Sequence, residues 1–331
     1  MRVLILGGTR FLGRRVARLL VDRGAQVTVL HRGISGQVVP GTISVMGDRS
    51  AADGGLGGLG DQRFDAVLDL SGYFSAWTSS AIEGLSGRIA HYAFVSSGAV
   101  YPRLAELPIP ETTPFGPNPI WGQYGFEKVT SERLLWQAYQ DGRFAVSVFR
   151  FPYVLGPGNF ADRESFVFSR LESGRPILLP GDGSTIKQFV YVDDVAEALV
   201  IALERPDVVA GHAYNCAYAR GITNRGWVEL CAAVAGIEAD IVPIDAAALG
   251  VASEAADLAD LVFPYPEEHY LLDGGKLERE LGVRMATGNR RMLEEFASWW
   301  ETQPREKRRP RTYEREERAL AALGRARAAG A

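Results

Sequence analysis

The sequence predicts an α/β protein built on a doubly wound parallel sheet, with a smaller α/β domain interleaved along the chain. Short aliphatic runs alternate with longer amphipathic stretches through the first half, which is the pattern of βαβ units. A glycine-rich turn joins the first run to the first amphipathic stretch. The 331 residues are 47% hydrophobic and 23% charged, enough apolar material for a large core. The sheet is therefore expected to be Rossmann-like.

Individual elements follow from this alternation in chain order. Aliphatic and β-branched runs predict strands at residues 2–6, 26–30, 43–46, 65–70, 91–96 and 144–149. Apolar residues at helical spacing predict helices at 12–22, 76–84 and 123–139. Further along, we expect a helix at 164–171, a strand at 189–192 and a helix at 195–203 that returns the chain to the main sheet.

One crossover and the end of the chain depart from the pattern. Residues 54–60 are mostly glycine, and because glycine disfavours helix by roughly 1 kcal/mol per residue, we expect a mobile surface loop there. From Arg305 onward the chain is rich in arginine and closes with a helical pattern at 314–327. Such a tail is typical of a solvated surface helix or a disordered end, so we assign it no function.

Composition excludes several classes of protein. A net charge of −4 gives no general attraction to nucleic acid or to a membrane surface, and no apolar run is long enough to span a bilayer. The first apolar run stops at Gly7-Gly8, too short for a secretory signal, so we expect a cytoplasmic protein. Cys216 and Cys231 lie apart from each other and from the histidines. We interpret them as unreactive core thiols and expect no metal site.

The glycine-rich turn is a candidate phosphate-binding loop. It follows a strand directly and opens a helix, the context in which backbone N–H groups meet a pyrophosphate. Gly7 and Gly13 hold the outer glycine positions, while Arg10 fills the middle one. A plain strand-to-helix turn is the alternative. The candidate cofactor residues of this turn are Gly7, Thr9, Arg10, Phe11, Leu12 and Gly13.

The end of the second strand bears on which dinucleotide is bound. An NAD site usually offers an acidic residue to the ribose about 20 residues beyond the glycines, whereas this chain offers His31 and Arg32. Arg32 and Arg10 are suited to a 2′-phosphate, which predicts NADP(H), with NAD as the alternative. Both arginines could instead be surface charges near the pyrophosphate. Asp48 is predicted to contact the adenine. Backbone at Ser71, Gly72 and Tyr73 is predicted to approach the cofactor at the carboxyl edge of the sheet.

Two further motifs predict the chemistry. Tyr124 and Lys128 are spaced i, i+4 near the start of a helix, so phenol and ammonium share one face. The ammonium is expected to lower the pKa of the phenol and make Tyr124 a general acid/base. Ser97 ends a strand one βα unit earlier and is expected to orient the reacting oxygen. The alternatives are a packing tyrosine with a snorkelling lysine, and simple loop hydroxyls.

The order of these motifs resembles the extended short-chain dehydrogenase/reductase family, of the NAD-dependent epimerase/dehydratase type that includes nucleotide-sugar 4-epimerases. The resemblance covers roughly residues 1–300 and includes segments 150–159 and 181–194. It implies that Ser97, Tyr124 and Lys128 carry the chemistry and that Pro152 borders the nicotinamide. Lys187 stands where the family often has a phosphate-binding arginine. The resemblance adds Ser96, Lys128, Phe151, Pro152 and Tyr153 as cofactor contacts, and Tyr73, Gly98, Ala99, Tyr101, Asn159 and Lys187 as substrate contacts.

Departures from the family pattern narrow the range of reactions that we expect. The family's sugar dehydratases carry an Asp-Glu pair after the catalytic hydroxyl, whereas Ser97 is followed by Gly98 and Ala99, which disfavours dehydration. The Gly-Gly-Thr-Arg-Phe turn resembles a sub-branch that includes chloroplast stem-loop RNA-binding relatives. Lysine at 187 is also a weaker clamp than the bidentate fork of arginine.

Domains and function follow from the motifs together. We expect a NAD(P)-binding domain from 1–152 plus 186–217, a substrate-binding domain from 153–185 plus 218–301, and a basic tail at 302–331. The leading hypothesis is epimerisation at C4 of a nucleotide sugar through a keto intermediate. The alternative is an NADPH-dependent ketoreductase of a keto-sugar or secondary metabolite. The third hypothesis is a non-catalytic RNA-binding protein. The resemblance implies a homodimer through helices 76–84 and 123–139, and we interpret His91, His212 and His269 as structural.

Overall fold

The computed structural model describes residues 1–34, 38–103, 106–251 and 261–329, so residues of the predicted domains and tail that fall in the gaps lie outside it. The strands are β1 (Arg2–Leu6), β2 (Gln26–His31), β3 (Ile43–Met46), β4 (Phe64–Asp69), β5 (Ile89–Val95), β6 (Ala145–Arg150), β7 (Tyr153–Leu155), β8 (Ile177–Pro180), β9 (Ile186–Lys187), β10 (Phe189–Tyr191), β11 (His212–Asn215), β12 (Ile222–Thr223) and β13 (Ile241–Ile244).

The helices alternate with these strands. They are α1 (Phe11–Asp22), α2 (Ser75–Leu85), α3 (Gly122–Gln140), α4 (Glu164–Ser173), α5 (Val192–Glu204), α6 (Pro206–Val209), α7 (Asn224–Ala235), α8 (Gly275–Leu281), α9 (Asn289–Glu301) and α10 (Glu314–Ala329).

Seven parallel strands form the main sheet, in the order β11-β6-β5-β4-β1-β2-β3. This arrangement confirms the predicted Rossmann-like α/β fold. The strand order reverses between β1 and β4, which places a crevice at the carboxyl ends of those strands. The central strands are buried on both faces by helices, because α1 and α5 cover one face while α2 and α3 cover the other.

Two strand assignments need correction. The seventh strand, β11, was missed because its sequence begins with an exposed histidine and ends with an asparagine rather than forming an aliphatic run. The predicted strand at 189–192 exists as β10, but it pairs with β7 in a separate two-stranded sheet instead of joining the main sheet. Helix α5 does pack against α1 and β10, so the chain still returns to the main layer there.

The glycine-rich segment is not an open loop. Residues Gly57–Leu59 form a turn of 3-10 helix, and Leu56 and Leu59 are buried in the core beside α2. A side chain at Gly84 would meet Leu56, so small residues let the segment pack closely on the helix. Glycine prevents the α-helix, as expected, but the two leucines anchor the segment.

A second core lies between α4, α7 and α9 and is rich in aromatic residues. It includes Phe166, Phe189, Trp227 and Phe296, all almost fully buried. Strands β8 and β13 pair beside it. The predicted division into two domains remains a prediction, although separate cores agree with it.

The C-terminal tail is packed more closely than predicted. The Arg170 guanidinium and the Glu316 carboxylate form a two-pronged ion pair at 2.7 Å, and both side chains are 0% exposed. Tyr313 is buried beside them and donates to Asp162. The first turn of α10 is therefore part of the fold, which corrects the interpretation of the tail as a wholly solvated helix.

Candidate active site

The glycine turn packs tightly against the start of α1. Gly7 has φ +95°, a conformation that other residues rarely adopt. A Cβ on Gly13 would lie 2.5 Å from the Gly7 carbonyl oxygen and 2.8 Å from the Gly8 Cα. Phe11 has φ +39°, an uncommon conformation for a non-glycine residue. The first turn of α1 is thus held against the end of β1, with its amides at the edge of the crevice.

A cleft of about 400 Å³ opens at this edge. Its volume lies within the range of cofactor sites. Most of its wall is apolar, and its positive charges gather near the ends of β2 and β3. It is lined by these predicted cofactor residues: Gly7, Thr9, Arg10, Phe11, Leu12, Gly13, His31, Arg32, Asp48, Ser71 and Tyr73. The arrangement fits an extended dinucleotide with its pyrophosphate at the glycine turn.

The residues at the predicted adenosine end have defined partners. His31 contacts the Ser44 hydroxyl at 2.7 Å and accepts a hydrogen bond from the Gly33 amide at 3.0 Å. Asp48 accepts hydrogen bonds from the amide and hydroxyl of Ser50, which lower the pKa of its carboxyl. Arg32 is exposed beside them. Arg32 also lines the cleft, and its contact with a 2′-phosphate stays a prediction.

Sequence analysis missed the most buried charge in this cleft. Arg49 is 5% exposed and donates to both carboxylate oxygens of Asp69, at 3.2 and 3.3 Å, and to the Trp77 carbonyl at 2.7 Å. Asp69 also accepts from Tyr92 at 2.6 Å. Although burial opposes ionisation, Arg49 keeps the pKa of Asp69 below its usual value. Asp69 lies in the predicted strand 65–70 and Arg49 follows the predicted strand 43–46, but their pairing depends on the order of the strands in the sheet.

The segment after β4 approaches the crevice as predicted. The Ser71 amide donates to Asp69 at 3.0 Å. A Cβ on Gly72 would lie 2.4 Å from the Phe94 ring, so only glycine fits. Tyr73 is 46% exposed, and its ring centre lies 5.6 Å from the Lys128 ammonium. This segment therefore joins the cofactor cleft to the catalytic residues.

Ser97, Tyr124 and Lys128 come together at the ends of β5 and α3. The Ser97 hydroxyl lies close enough to the Tyr124 phenol to lower its pKa. Lys128 is 4% exposed, donates to the Val95 carbonyl at 2.8 Å and lies 6.0 Å from the centre of the Tyr124 ring. These contacts give the three side chains one shared face beside the cleft.

The prediction that the Lys128 ammonium lowers the pKa of the Tyr124 phenol stays a prediction. Tyr124 is 39% exposed as a residue, but desolvation of its phenol raises the pKa to about 12, against a smaller lowering effect of Ser97. Burial also lowers the pKa of Lys128 to about 8. Desolvation is therefore the largest effect on the pKa of both groups.

Two residues assigned to ligand contacts instead form a buried polar network. The Ser96 hydroxyl donates to Glu132, which also pairs with Arg150 at 2.6 Å. Arg150 donates at 2.8 Å to the Tyr101 hydroxyl, which in turn donates to Asn215 at 2.8 Å. Tyr101 is 1% exposed. The side chains of Ser96 and Tyr101 are therefore committed to the protein, which corrects their assignment to cofactor and substrate.

Other predicted substrate contacts are also occupied. The Gly98 amide donates to the Phe151 carbonyl at 2.8 Å, and the Ala99 amide donates to Ser97 at 3.1 Å. Asn159 donates to Glu164 at 2.8 Å, so it shapes the loop after β7. These contacts leave Gly98 and Ala99 as close-packed backbone behind the catalytic serine.

Lys187 is not placed as a surface phosphate clamp. It is 1% exposed and donates to the carbonyl oxygens of Pro266 and Glu268. Burial lowers the pKa of its ammonium to about 7. This placement corrects the expectation that Lys187 faces a diphosphate.

The segment that is predicted to border the nicotinamide connects β6 to β7. Phe151 is buried, and Pro152 and Tyr153 are partly buried at the start of β7. The Tyr153 hydroxyl is buried with no hydrogen-bond partner among the described residues. Their contact with a cofactor remains a prediction.

The remaining candidates carry no chemistry of their own. His91 is buried and contacts Ser147, His269 accepts from the Ile186 amide, and both cysteines are buried free thiols. Across the described ranges, no group of histidine, cysteine and acidic residues could hold a metal ion. Nor does any described helix combine the length and apolarity needed to cross a membrane.

The chain is similar to a known protein family and to several known proteins. The model of the NAD dependent epimerase/dehydratase family matches residues 78–217, a span that contains the serine, tyrosine and lysine. The chain is 28% identical to the chloroplast stem-loop binding protein of 41 kDa b of Arabidopsis thaliana, over 85% of this chain and 74% of that protein. It is 27% identical to a UDP-glucose 4-epimerase of Azospirillum brasilense, over 71% and 78% respectively.

Solved structures extend the likeness to nearly the whole chain. The dTDP-glucose 4,6-dehydratase of Bacillus anthracis, solved in complex with NAD, superposes with a TM-score of 0.76 at 18% identity. The match covers 92% of this chain and 97% of that one. At this identity the likeness bears on the fold alone.

Proposed function

We propose that this chain, which belongs to the NAD dependent epimerase/dehydratase family, is an NAD(P)-dependent epimerase-type enzyme. It acts at a sugar carbon, C4, of a nucleotide sugar, through a keto intermediate. The observation that carries the proposal is the meeting of Ser97, Tyr124 and Lys128 beside a cleft shaped for a dinucleotide. The curated UDP-glucose 4-epimerase relative supports the substrate class.

Each catalytic side chain has a role that its contacts allow. Tyr124 exchanges a proton with the substrate hydroxyl, and its high pKa keeps that proton on the phenol when a carbonyl is to be reduced. Ser97 lies beside this phenol, whose pKa it lowers, and orients the same substrate oxygen. Lys128 is held by Val95 next to the ring, where its charge favours the phenolate. When bound, the nicotinamide supplies and accepts the hydride.

We further propose NADP(H) as the preferred cofactor, with NAD(H) as the alternative. Arg32 is exposed at the ribose end of the cleft, and Arg10 lines the same cleft. The end of β2 carries His31 and Arg32 in place of the acidic residue that usually binds the free ribose hydroxyls. The glycine turn and the start of α1 would hold the pyrophosphate.

An NADPH-dependent ketoreductase is the second candidate, favoured by two observations. The arginines suit a cofactor drawn from the NADPH pool. Lys187 is buried against backbone carbonyls, which weakens the case for a diphosphate clamp at that position. Dehydration is outside the proposal because Gly98 and Ala99 follow Ser97 and no acidic pair stands there.

The deciding experiment separates the two reactions. Cofactor is released from freshly purified protein and identified, and the absorbance of added NADPH and NADH is followed with UDP-, GDP- and dTDP-sugars and with keto substrates. Retained cofactor with epimers formed and no net NADPH consumption supports the epimerase. Consumption of NADPH with a keto substrate supports the reductase. Stem-loop RNA binding without turnover would favour the third hypothesis, which the chloroplast relative suggests.

We also propose a homodimer through α2 and α3. These helices pack side by side, and α3 exposes Phe126 and Tyr139. Light scattering after gel filtration tests this proposal, and a monomer at micromolar concentration would contradict it.

A further inference from the structure

Arg163 stands just before α4 with a guanidinium that has ring contacts but no polar partner. Its Cζ lies 4.8 Å from the centre of the Tyr153 ring and 5.2 Å from that of Tyr265. Within the described ranges, the guanidinium makes no hydrogen bond or ion pair. Every other arginine discussed above as buried, namely Arg49, Arg150 and Arg170, is paired with a carboxylate. A partly buried arginine that stacks on aromatic rings is therefore left with all its donors available.

The rings around Arg163 form a continuous wall that reaches the catalytic serine. Tyr265 packs on Tyr153 at 4.9 Å, Tyr153 on Trp121 at 6.2 Å, and Trp121 on Tyr270 at 5.8 Å. The Tyr270 hydroxyl lies 1.1 Å from where a Cβ on Gly98 would stand. We call Arg163, Tyr265, Tyr153, Trp121 and Tyr270 the aromatic wall. It leads from the residue after Ser97 to the Arg163 guanidinium.

The aromatic wall carries several unpartnered polar atoms. The hydroxyls of Tyr153, Tyr265 and Tyr270 and the indole nitrogen of Trp121 are buried without hydrogen-bond partners among the described residues. Tyr265 and Tyr270 are only 3% and 6% exposed. Buried polar atoms are normally satisfied, so such a concentration marks a place that a polar ligand or ordered water completes.

Nearby acidic groups do not neutralise Arg163. Glu164 is buried and accepts from the Gly156 amide at 2.6 Å and from Asn159 at 2.8 Å. Glu268 accepts from Asn118 at 3.3 Å. No carboxylate of the described residues lies within ion-pair distance of Arg163. The positive charge of Arg163 also acts on the catalytic tyrosine, where it lowers the pKa of the phenol against the larger effect of burial.

We propose that Arg163 binds an oxyanion of the substrate, a carboxylate or a phosphate, and that the aromatic wall holds the group between this oxyanion and Tyr124. The planar guanidinium can direct two N–H donors toward one such anion. The proposal rests on the proposed function in placing the substrate beside Tyr124. The proposal also gives the chain an anion-binding residue in place of Lys187, which is buried.

The test measures binding to protein saturated with NADPH, by calorimetry. The probes are inorganic pyrophosphate, free glucuronate, UDP, UDP-glucose and UDP-glucuronate, each with wild type and with Arg163→Gln. We expect at least a tenfold loss of affinity in the variant. A loss for every diphosphate identifies the phosphate as the bound group, whereas a loss confined to the two glucuronates identifies the carboxylate.

Matched variants keep the result interpretable. Arg163→Lys retains the charge but loses the planar fork, and is expected to recover part of the affinity. Arg284→Gln removes an arginine whose side chain is 67% exposed and should leave all affinities unchanged. NADPH affinity and thermal unfolding of Arg163→Gln verify that the fold and the cofactor site persist.

Two results overturn the proposal: equal affinities of wild type and Arg163→Gln for every probe, or no binding of any probe to wild type. Failure of the proposed function gives a different pattern. In that case pyrophosphate or glucuronate binds in an Arg163-dependent manner while no nucleotide sugar is turned over.

Discussion

The ammonium of Lys128 lies 6.0 Å from the centre of the Tyr124 ring and donates to the Val95 carbonyl at 2.8 Å. The i, i+4 spacing thus brings the two side chains to one face, as predicted, without an ammonium-to-phenol hydrogen bond. Because desolvation of the phenol raises the pKa of Tyr124 to about 12, the phenol holds its proton at neutral pH. In the proposed mechanism Tyr124 therefore begins as an acid that donates its proton to a carbonyl.

Replacing Tyr124 by Phe is expected to lower the rate of the chemical step by about 10²–10⁴-fold, the usual contribution of a positioned acid/base. NADPH affinity, measured by fluorescence titration, should change little, because the ring remains. The matched control is Tyr139→Phe, at an exposed tyrosine on the same helix. Equal rates for wild type and Tyr124→Phe would remove Tyr124 from the mechanism.

The sequence predicts most of the sheet and much of the site because both follow from local patterns. Aliphatic runs locate β1 through β6, and the i, i+4 pair locates Tyr124 and Lys128. The sequence does not predict β11, because this edge strand begins and ends with polar residues although its last two residues are buried. Nor does it separate Ser96 from Ser97: both follow β5, and only the packing of Glu132 shows that the Ser96 hydroxyl points away from the cleft.

Charged residues were the hardest to place, for a physical reason. Whether a lysine or an arginine binds a ligand or a protein group depends on partners far away in the chain. Lys187 meets carbonyls of Pro266 and Glu268, and Arg49 meets Asp69. These pairings depend on the tertiary fold, so no local sequence pattern predicts them.

Arg32→Gln is expected to weaken NADPH binding by about tenfold or more while leaving NADH binding within a few-fold, since only NADPH carries the 2′-phosphate. Fluorescence titration of both dinucleotides at two salt concentrations measures the ratio. The effect should shrink at high salt because Arg32 is exposed. An equal loss of affinity for NADPH and NADH would show that Arg32 does not contact the 2′-phosphate.

Arg49→Met is expected to destabilise the protein by about 3–5 kcal/mol, because it leaves the fully buried Asp69 carboxylate without its cation. Adding Asp69→Asn to that variant should recover part of the loss, by about 0.5–3 kcal/mol of coupling. Denaturant unfolding measures all of these values. The comparison pair is Arg2–Asp65, whose side chains are about half exposed, where Arg2→Met should cost about 1 kcal/mol or less. Additive losses at Arg49 and Asp69 would contradict the coupling.

Glu316→Gln tests whether the C-terminal helix belongs to the fold. It leaves Arg170 buried with no full negative charge, so we expect a loss of about 3–5 kcal/mol in the free energy of unfolding. Glu295→Gln, at an exposed pair with Arg291, serves as the control and should change little. An unchanged unfolding curve for Glu316→Gln would mean that α10 is detached in solution.

His91 is expected to make stability depend on pH in the acidic range. It is 2% exposed, contacts the Ser147 hydroxyl at 2.8 Å, and burial lowers its pKa to about 4 from an ordinary 6.5. Below pH 6.5 the unfolded chain therefore binds a proton that the folded chain does not, which favours unfolding. The loss grows as the pH falls toward 4 and reaches about 3 kcal/mol, at 1.36 kcal/mol per pH unit.

His91→Gln keeps a group that can bond Ser147 and cannot be protonated, so the comparison isolates the proton. Wild type should lose about 3 kcal/mol more than this variant between pH 7 and pH 4, and the two should run parallel above pH 7, measured by urea unfolding at each pH. The carboxylates titrate in both proteins and cancel in the difference. His212→Gln, at an exposed histidine, should follow wild type. If the His91→Gln and wild-type curves stay parallel down to pH 4, His91 is solvated when protonated and the strand β5 opens locally to admit water.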